Sequence, residues 1–223
     1  MPVWVGPGSP PGLADRTMQF GELEYRYEVF VPSTYDARNP MPALLLVHGG
    51  GGNGPGFIQT WTAFAESHGI ILVAPTLDLS AATEPSVPIL FPQLMNVVTQ
   101  EWNVDANRRY LFGYSAGGYF VYDAALLRSD YFAGAGVFSA VIQPEYDSIV
   151  RKSPKRTDIA IYIGDSDPFF NVQQTRRTRD LLQAAGMDVH YVELPNQGHD
   201  YPSIAGTINA DVWRFLSGHT LPR

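Results

Sequence analysis

Arg109-Tyr110-Leu111-Phe112-Gly113-Tyr114-Ser115-Ala116-Gly117-Gly118-Tyr119 is the stretch that decides the fold. Tyr110 to Phe112 read as a buried strand. Gly113-Tyr114-Ser115-Ala116-Gly117 is a G-x-S-x-G turn, and residues 116–128 have helical character. A serine on so tight a turn sits in a strained region of φ/ψ space, and its neighbours two residues away must lack bulk. The turn carries the hydroxyl beyond the sheet to a helix N-terminus, where the dipole favours a developing anion. Strand, turn and helix in that order are the setting in which the motif has chemical meaning. Ser115 is therefore the candidate nucleophile. A plain Gly-rich strand-to-helix turn is the competing reading, and residues elsewhere in the chain weigh against it.

Outward from the elbow, short apolar runs recur at Ala43–Val47, Ile70–Ala74, Ala135–Phe138, Ile159–Ile163 and Val189–Leu194. They do not alternate with polar residues, which fits strands covered on both faces. Segments of helical character separate them: Phe57–His68, Pro88–Trp102, Val172–Ala185 and Ala205–Ser217. Alternating strand and helix predict an α/β architecture, a mostly parallel central sheet with helices on both faces. Two strands around Gly21, between Thr17 and Val31, differ from these. Leu23, Tyr25, Tyr27 and Val29 share one face there, as in an antiparallel strand near a sheet edge. Residues 1–15, rich in Pro and Gly, read as an extended arm, and residues 16–223 as one domain.

His48-Gly49-Gly50-Gly51-Gly52-Asn53-Gly54 follows the Ala43–Val47 strand. Successive glycines let backbone N–H groups approach a substrate oxygen, and acyl transfer needs two such donors. Ala116 supplies one, as the residue after the nucleophile, and Gly50 or Gly51 the other. A phosphate loop is excluded, because no G-K-[ST] follows. His48 reads as a structural residue bonding the loop backbone.

The chain has 5 His. His199, in the turn-rich loop Pro195–Tyr201 after the last apolar run, is the candidate base. His190 begins a strand, His219 lies in the C-terminal tail and His68 ends a helix. The acid that orients the imidazole is sought in Gly164-Asp165-Ser166-Asp167-Pro168-Phe169-Phe170. Asp167 is favoured, lying further out and before a proline that imposes extended geometry. Asp165 is the alternative, with turn or cap residue as its other reading.

With these residues placed, the chain resembles an α/β-hydrolase serine esterase of the feruloyl esterase and polyhydroxybutyrate depolymerase-like group. Asn103 to Gly118, with Asp105 and Arg108 ahead of the strand, is similar to that group's elbow. The HGGGGN, GDSDP and GH loops follow in the family's order. The resemblance implies Ser115, Asp167 and His199 as the catalytic set, and Gly50 and Ala116 as oxyanion donors. The chain departs from secreted depolymerases in lacking Cys, and residues 116–166 leave no room for a large lid.

The bulk composition is compatible with this reading. A net charge of −7 over 223 residues gives no support for nucleic-acid partners, and the longest basic cluster is only Arg151, Lys152, Lys155 and Arg156. Without Cys neither disulfides nor thiolate metal sites can form, and the chemistry needs no metal or organic cofactor. No stretch approaches the apolar length of a membrane span, and the N-terminus lacks signal-peptide features. The expected partner is a small-molecule ester. Tyr114, Phe169 and Phe170 are candidate walls of its pocket, suited to an aromatic or medium acyl group. A peptidase or acyltransferase on the same scaffold, or a binding protein that keeps the fold, are the alternatives.

Overall fold

The computed structural model describes residues 10–79, 87–152 and 157–222. Eight strands form one sheet: β1 (Gly12–Phe20), β2 (Leu23–Val31), β3 (Met41–Val47), β4 (Ile71–Pro75), β5 (Val104–Tyr114), β6 (Gly134–Phe138), β7 (Asp158–Gly164) and β8 (Val189–Leu194). Their order is β1-β2-β4-β3-β5-β6-β7-β8. The β1–β2 and β2–β4 pairings are antiparallel, and every other pairing is parallel. Among the described residues five α-helices lie between strands, α1 (Gly54–His68), α2 (Val87–Glu101), α3 (Ala116–Leu127), α4 (Asp147–Lys152) and α5 (Val172–Ala184), and a sixth, α6 (Ala205–Leu216), follows β8.

Helices cover both sheet faces, which is why the parallel strands carry no polar alternation. On one face Leu45, Val47, Leu111, Val137 and Ile161 pack with residues of α2, α3 and α5. On the other Leu44, Leu46, Phe112, Phe138 and Tyr162 pack with α1 and α6. All ten of those strand residues are fully buried. Fully burying side chains of this kind contributes roughly 1.5–3 kcal/mol each.

Local rules account for the helix boundaries. The side chain of Asn53, the last polar residue of the Gly-rich loop, accepts from Gly56 N at 2.7 Å and starts α1. Gly69 in the left-handed region ends it. Asn171 and Gln174 form a capping box on α5. Pro92 lies inside α2 and cannot donate to the carbonyl of Pro88; Arg128 Nη1 donates to that carbonyl instead, at 3.0 Å.

The structure differs from the sequence reading at several boundaries. β1 begins at Gly12, so residues 12–15 of the expected arm pair along β2, Gly12 facing Val31; residues 1–9 lie outside the described residues, as do Lys155 and Arg156. β5 starts at Val104, which faces Met41 of β3; the register then shifts and resumes with Arg109 opposite Ala43, so the polar residues 105–108 fall in an irregularity ahead of the apolar run. The short α4 is amphiphilic over too few residues to show a period, and only Val150 anchors it in the core.

The parallel register ends nearly level. Val47 faces Gly113, Tyr114 faces Phe138, Phe138 faces Tyr162, and Gly164 faces Leu194. The loops after β3, β5, β7 and β8 therefore emerge side by side at the carboxyl edge of the sheet.

Candidate active site

Ser115 is held at φ 54°, ψ −122° between β5 and α3. A non-glycine residue at positive φ is strained and persists only where its surroundings fix it. Here Ser115 N donates to Phe138 O at 2.9 Å, and Ser115 O accepts from Gly118 N at 2.8 Å. Packing requires the flanking glycines. A β-carbon at Gly113 would lie 2.6 Å from Gly117 O, and one at Gly117 would lie 2.3 Å from His48 O. The elbow is thus wedged against the end of β3.

Asp167 and His199 arrive from the loops after β7 and β8. His199 Nδ1 lies 2.7 Å from Asp167 Oδ2, and His199 Nε2 lies 2.8 Å from Ser115 Oγ. The Asp167 side chain has no exposed surface and that of His199 is 17% exposed. Amides of Phe169 and Phe170 donate to Asp167 Oδ1 at 2.8 and 3.0 Å. Burial alone would raise the Asp167 carboxyl, but the bonds from His199 and these amides hold it below its ordinary value. An ionised Asp167 accepts from Nδ1–H, which leaves Nε2 free to accept from the serine hydroxyl.

Asp165 has the turn role weighed for it: its Oδ1 accepts from Asn196 N at 2.8 Å and from Ser166 Oγ at 2.9 Å. The other histidines lie in different settings. His190 Nε2 is 2.6 Å from Asp211 Oδ2. His219 Nδ1 bonds Phe215 O, and His68, the last residue of α1, bonds Phe64 O. His48 is buried, with Nδ1–H donating to Gly49 O at 2.7 Å and Nε2 accepting from Leu77 N at 3.1 Å. Those two roles require a neutral ring, and burial lowers its pKa.

A cleft of about 340 Å³ opens over Ser115, lined by Gly49, Gly50, Ala116, Tyr119 and His199, with Tyr114, Phe169 and Phe170 as further walls. Gly51 is not among its lining residues. A β-carbon on Gly50 would sit 3.8 Å from that of Ala116, so the loop and the first turn of α3 abut. The ring of Phe169, 71% exposed, stands edge-on to His199 with centroids 4.8 Å apart. Phe170 lies at 5.8 Å, more nearly parallel to it.

Two features were not read from the sequence. Tyr114 is more than a wall: its hydroxyl donates to His199 O at 2.7 Å, tying the backbone of His199 to the strand that leads to Ser115. Tyr119 also lines the cleft, and its spacing of three from Ala116, one helical turn, is a signal that could have marked it.

A mostly parallel sheet with helices on both faces, and a strand–serine–helix elbow at its carboxyl edge, defines the α/β-hydrolase class of fold. The solved S-formylglutathione hydrolase FrmB of Staphylococcus aureus has that fold in common with the chain, with a TM-score of 0.74 over 95% of this chain and 99% of the other at 18% identity. A family model described as "Putative esterase" matches residues 89–216, and the chain belongs to that esterase family. It is 29% identical to the "Probable feruloyl esterase C" of Aspergillus niger over 143 residues, 60% of this chain and 52% of that one. It is 30% identical to the bifunctional acetylxylan esterase/xylanase XynS20E of Neocallimastix patriciarum, over 86% of this chain and 33% of the relative. The chain thus spans about half of the first relative's length and a third of the second's. No helix among the described residues is long and apolar enough to cross a membrane.

Proposed function

We propose that this chain is a carboxylic-ester hydrolase working through a serine acyl-enzyme. One observation carries the reading: the unbroken run of hydrogen bonds from Ser115 Oγ through the His199 ring to Asp167, at 2.8 and 2.7 Å. In the first step Ser115 Oγ attacks the ester carbonyl and His199 Nε2 takes its proton. Asp167 keeps the ring in the Nδ1–H tautomer and stabilises the imidazolium. The oxyanion rests on the amides of Ala116 and Gly50, each donor contributing roughly 3 kcal/mol. Gly50 is preferred to Gly51 because it faces the cleft beside Ala116. His199 then protonates the leaving alcohol, and a water repeats the sequence on the acyl-enzyme.

The feruloyl and acetylxylan esterases among the relatives support an ester substrate. The aromatic walls of the cleft support an acyl group larger than acetyl. A fluorophosphonate probe should label Ser115 stoichiometrically, and Ser115→Ala should abolish both labelling and p-nitrophenyl ester cleavage while the fold persists. Turnover retained in that variant would remove Ser115 as the nucleophile.

A further inference from the structure

Among the described residues, three that are not glycine have positive φ: Ser115 at 54°, Ser139 at 54° and Asn196 at 55°. They follow β5, β6 and β8, so all lie at the carboxyl edge of the sheet. Backbone strain of this kind gathers at functional sites. Ser115 is the candidate nucleophile, and asparagine visits the left-handed region readily. Neither account covers Ser139, where glycine would meet the same φ at lower cost.

The setting of Ser139 ties it to the loops on either side. The peptide between Phe138 and Ser139 is bonded in both directions. Its carbonyl accepts from Ser115 N at 2.9 Å, and its N–H donates to Tyr162 O at 2.9 Å. The first bond reaches the elbow, and the second reaches β7, which leads into the loop of Asp167. The Ser139 side chain is fully buried. Among the described residues its hydroxyl meets no acceptor in ordinary hydrogen-bond geometry. A buried hydroxyl without a partner is costly, so a serine in this place calls for a reason.

The hydrogen bonds of Asp167 supply one. An ionised carboxylate offers about four acceptor sites. Oδ1 takes the amides of Phe169 and Phe170, and Oδ2 takes His199 Nδ1–H. One site on Oδ2 is left open, on a side chain with no exposed surface. Burial works to raise the Asp167 carboxyl, and the Ser139 hydroxyl opposes it with the same sign as the other donors. Hydrogen bonds at catalytic groups are often long or poorly aligned before substrate arrives, and tighten in the complex.

We propose that Ser139 is a positioning residue for acyl transfer, its hydroxyl closing onto the open site of Asp167 Oδ2 as His199 takes the proton of Ser115. The inference rests on the serine-esterase reading above, which fluorophosphonate labelling of wild type tests by itself. The experiment compares wild type, Ser139→Ala and Ser139→Gly on p-nitrophenyl acetate, each also in an Asp167→Ala background. Both single variants should lose kcat about tenfold, the lower end for a hydrogen bond to a charged group, with KM within about twofold. A carboxylate with one donor fewer holds a proton more tightly, its own or the one shared with Nδ1. The acid limb of the kcat/KM profile should therefore move up by about half a pH unit or more. In the Asp167→Ala background the same changes should cost less than about twofold, because the acceptor is gone. A serine that serves only the fold would instead lower Tm and leave the acid limb in place. A single variant with wild-type kcat and an unmoved limb overturns the proposal. So does a loss of kcat without movement of the limb, or the full loss repeated without Asp167. If Ser139→Ala does not fold, Ser139→Gly decides, since glycine takes φ 54° without strain.

Discussion

Replacing Gly117 with alanine tests whether the elbow is fixed by packing against the strand that carries the Gly-rich loop. The new β-carbon would lie 2.3 Å from the carbonyl oxygen of His48 and 2.4 Å from that of Val47. An ordinary contact between carbon and a carbonyl oxygen is about 3.3 Å or longer, so a gap of about 1 Å must open. Both oxygens belong to the backbone and cannot rotate away. Either α3 lifts off the sheet or the loop at residues 48–50 retreats. Both movements part Ala116 from Gly50, whose amides are the proposed oxyanion donors. Overpacking of this kind costs about 1–3 kcal/mol, and for a chain of this size each kcal/mol lowers Tm by roughly 2–4 °C. Misplacing reacting groups by 1 Å costs on the order of 10²-fold in rate. The expected result is a kcat on p-nitrophenyl acetate lowered about 10²-fold, a modest fall in Tm and slower fluorophosphonate labelling. A variant with kcat within about twofold of wild type and an unchanged Tm would refute the argument.

Other perturbations probe the same edge. Tyr114→Phe removes the 2.7 Å bond to His199 O; a net loss of about 0.5–1.5 kcal/mol should lower kcat up to about tenfold with KM little changed, and a change confined to KM would contradict a positioning role. Asp167→Asn removes the carboxylate and holds His199 in the wrong tautomer; a fall in kcat of about 10⁴-fold is expected, the scale known for the equivalent change in a serine protease, and near-normal turnover would shift the acid's role to another residue. His48 bears on stability: burial lowers it below its ordinary 6.5, against the opposing effect of its bond to Gly49 O. The folded protein then binds fewer protons at His48 than the unfolded chain, so this contribution is complete above pH 6.5 and is lost as pH falls through the lower folded value. Urea unfolding of wild type and His48→Asn between pH 7.5 and 5 should show a steeper acid loss in wild type, and parallel profiles would contradict it.

Much of the fold was legible because its strongest determinant, burial on both sheet faces, writes itself as uninterrupted apolar runs. Ala43–Val47 and Ile159–Ile163 fall inside observed strands for that reason. The same logic misses elements stabilised by pairing rather than burial. The Gly12–Asp15 segment joins β1 because β2 offers it hydrogen-bonding partners along its whole length, and β5 begins at Val104 opposite Met41, ahead of a shift in register that separates it from the apolar run. At the site, the convergence of Ser115, His199 and Asp167 was readable from residue type and loop position. The hydroxyl bond from Tyr114 to His199 O joins residues far apart in the chain through a backbone acceptor, which leaves no mark in a sequence pattern.

What fixes the side chains of Ser115, His199 and Asp167 is the sheet more than their bonds to one another. The loops that carry Asp167 and His199 are joined directly: Asp165 N donates to Leu194 O at 3.1 Å, and Ser166 N to Gln197 O at 3.0 Å. A β-carbon at Gly164 would lie 2.0 Å from Gln197 O, so only glycine lets them meet. Tyr114 then anchors the backbone of His199 from the strand that leads to Ser115, and Gly117 seats the elbow against β3. Each loop is thus held by the end of a neighbouring strand independently of the hydrogen bonds among Ser115, His199 and Asp167. The geometry is preorganised, which is the condition under which fixed donors lower a barrier without reorganising during the reaction. On that reasoning Ser115→Ala leaves His199 on Asp167, with the imidazole ready but lacking a hydroxyl to activate.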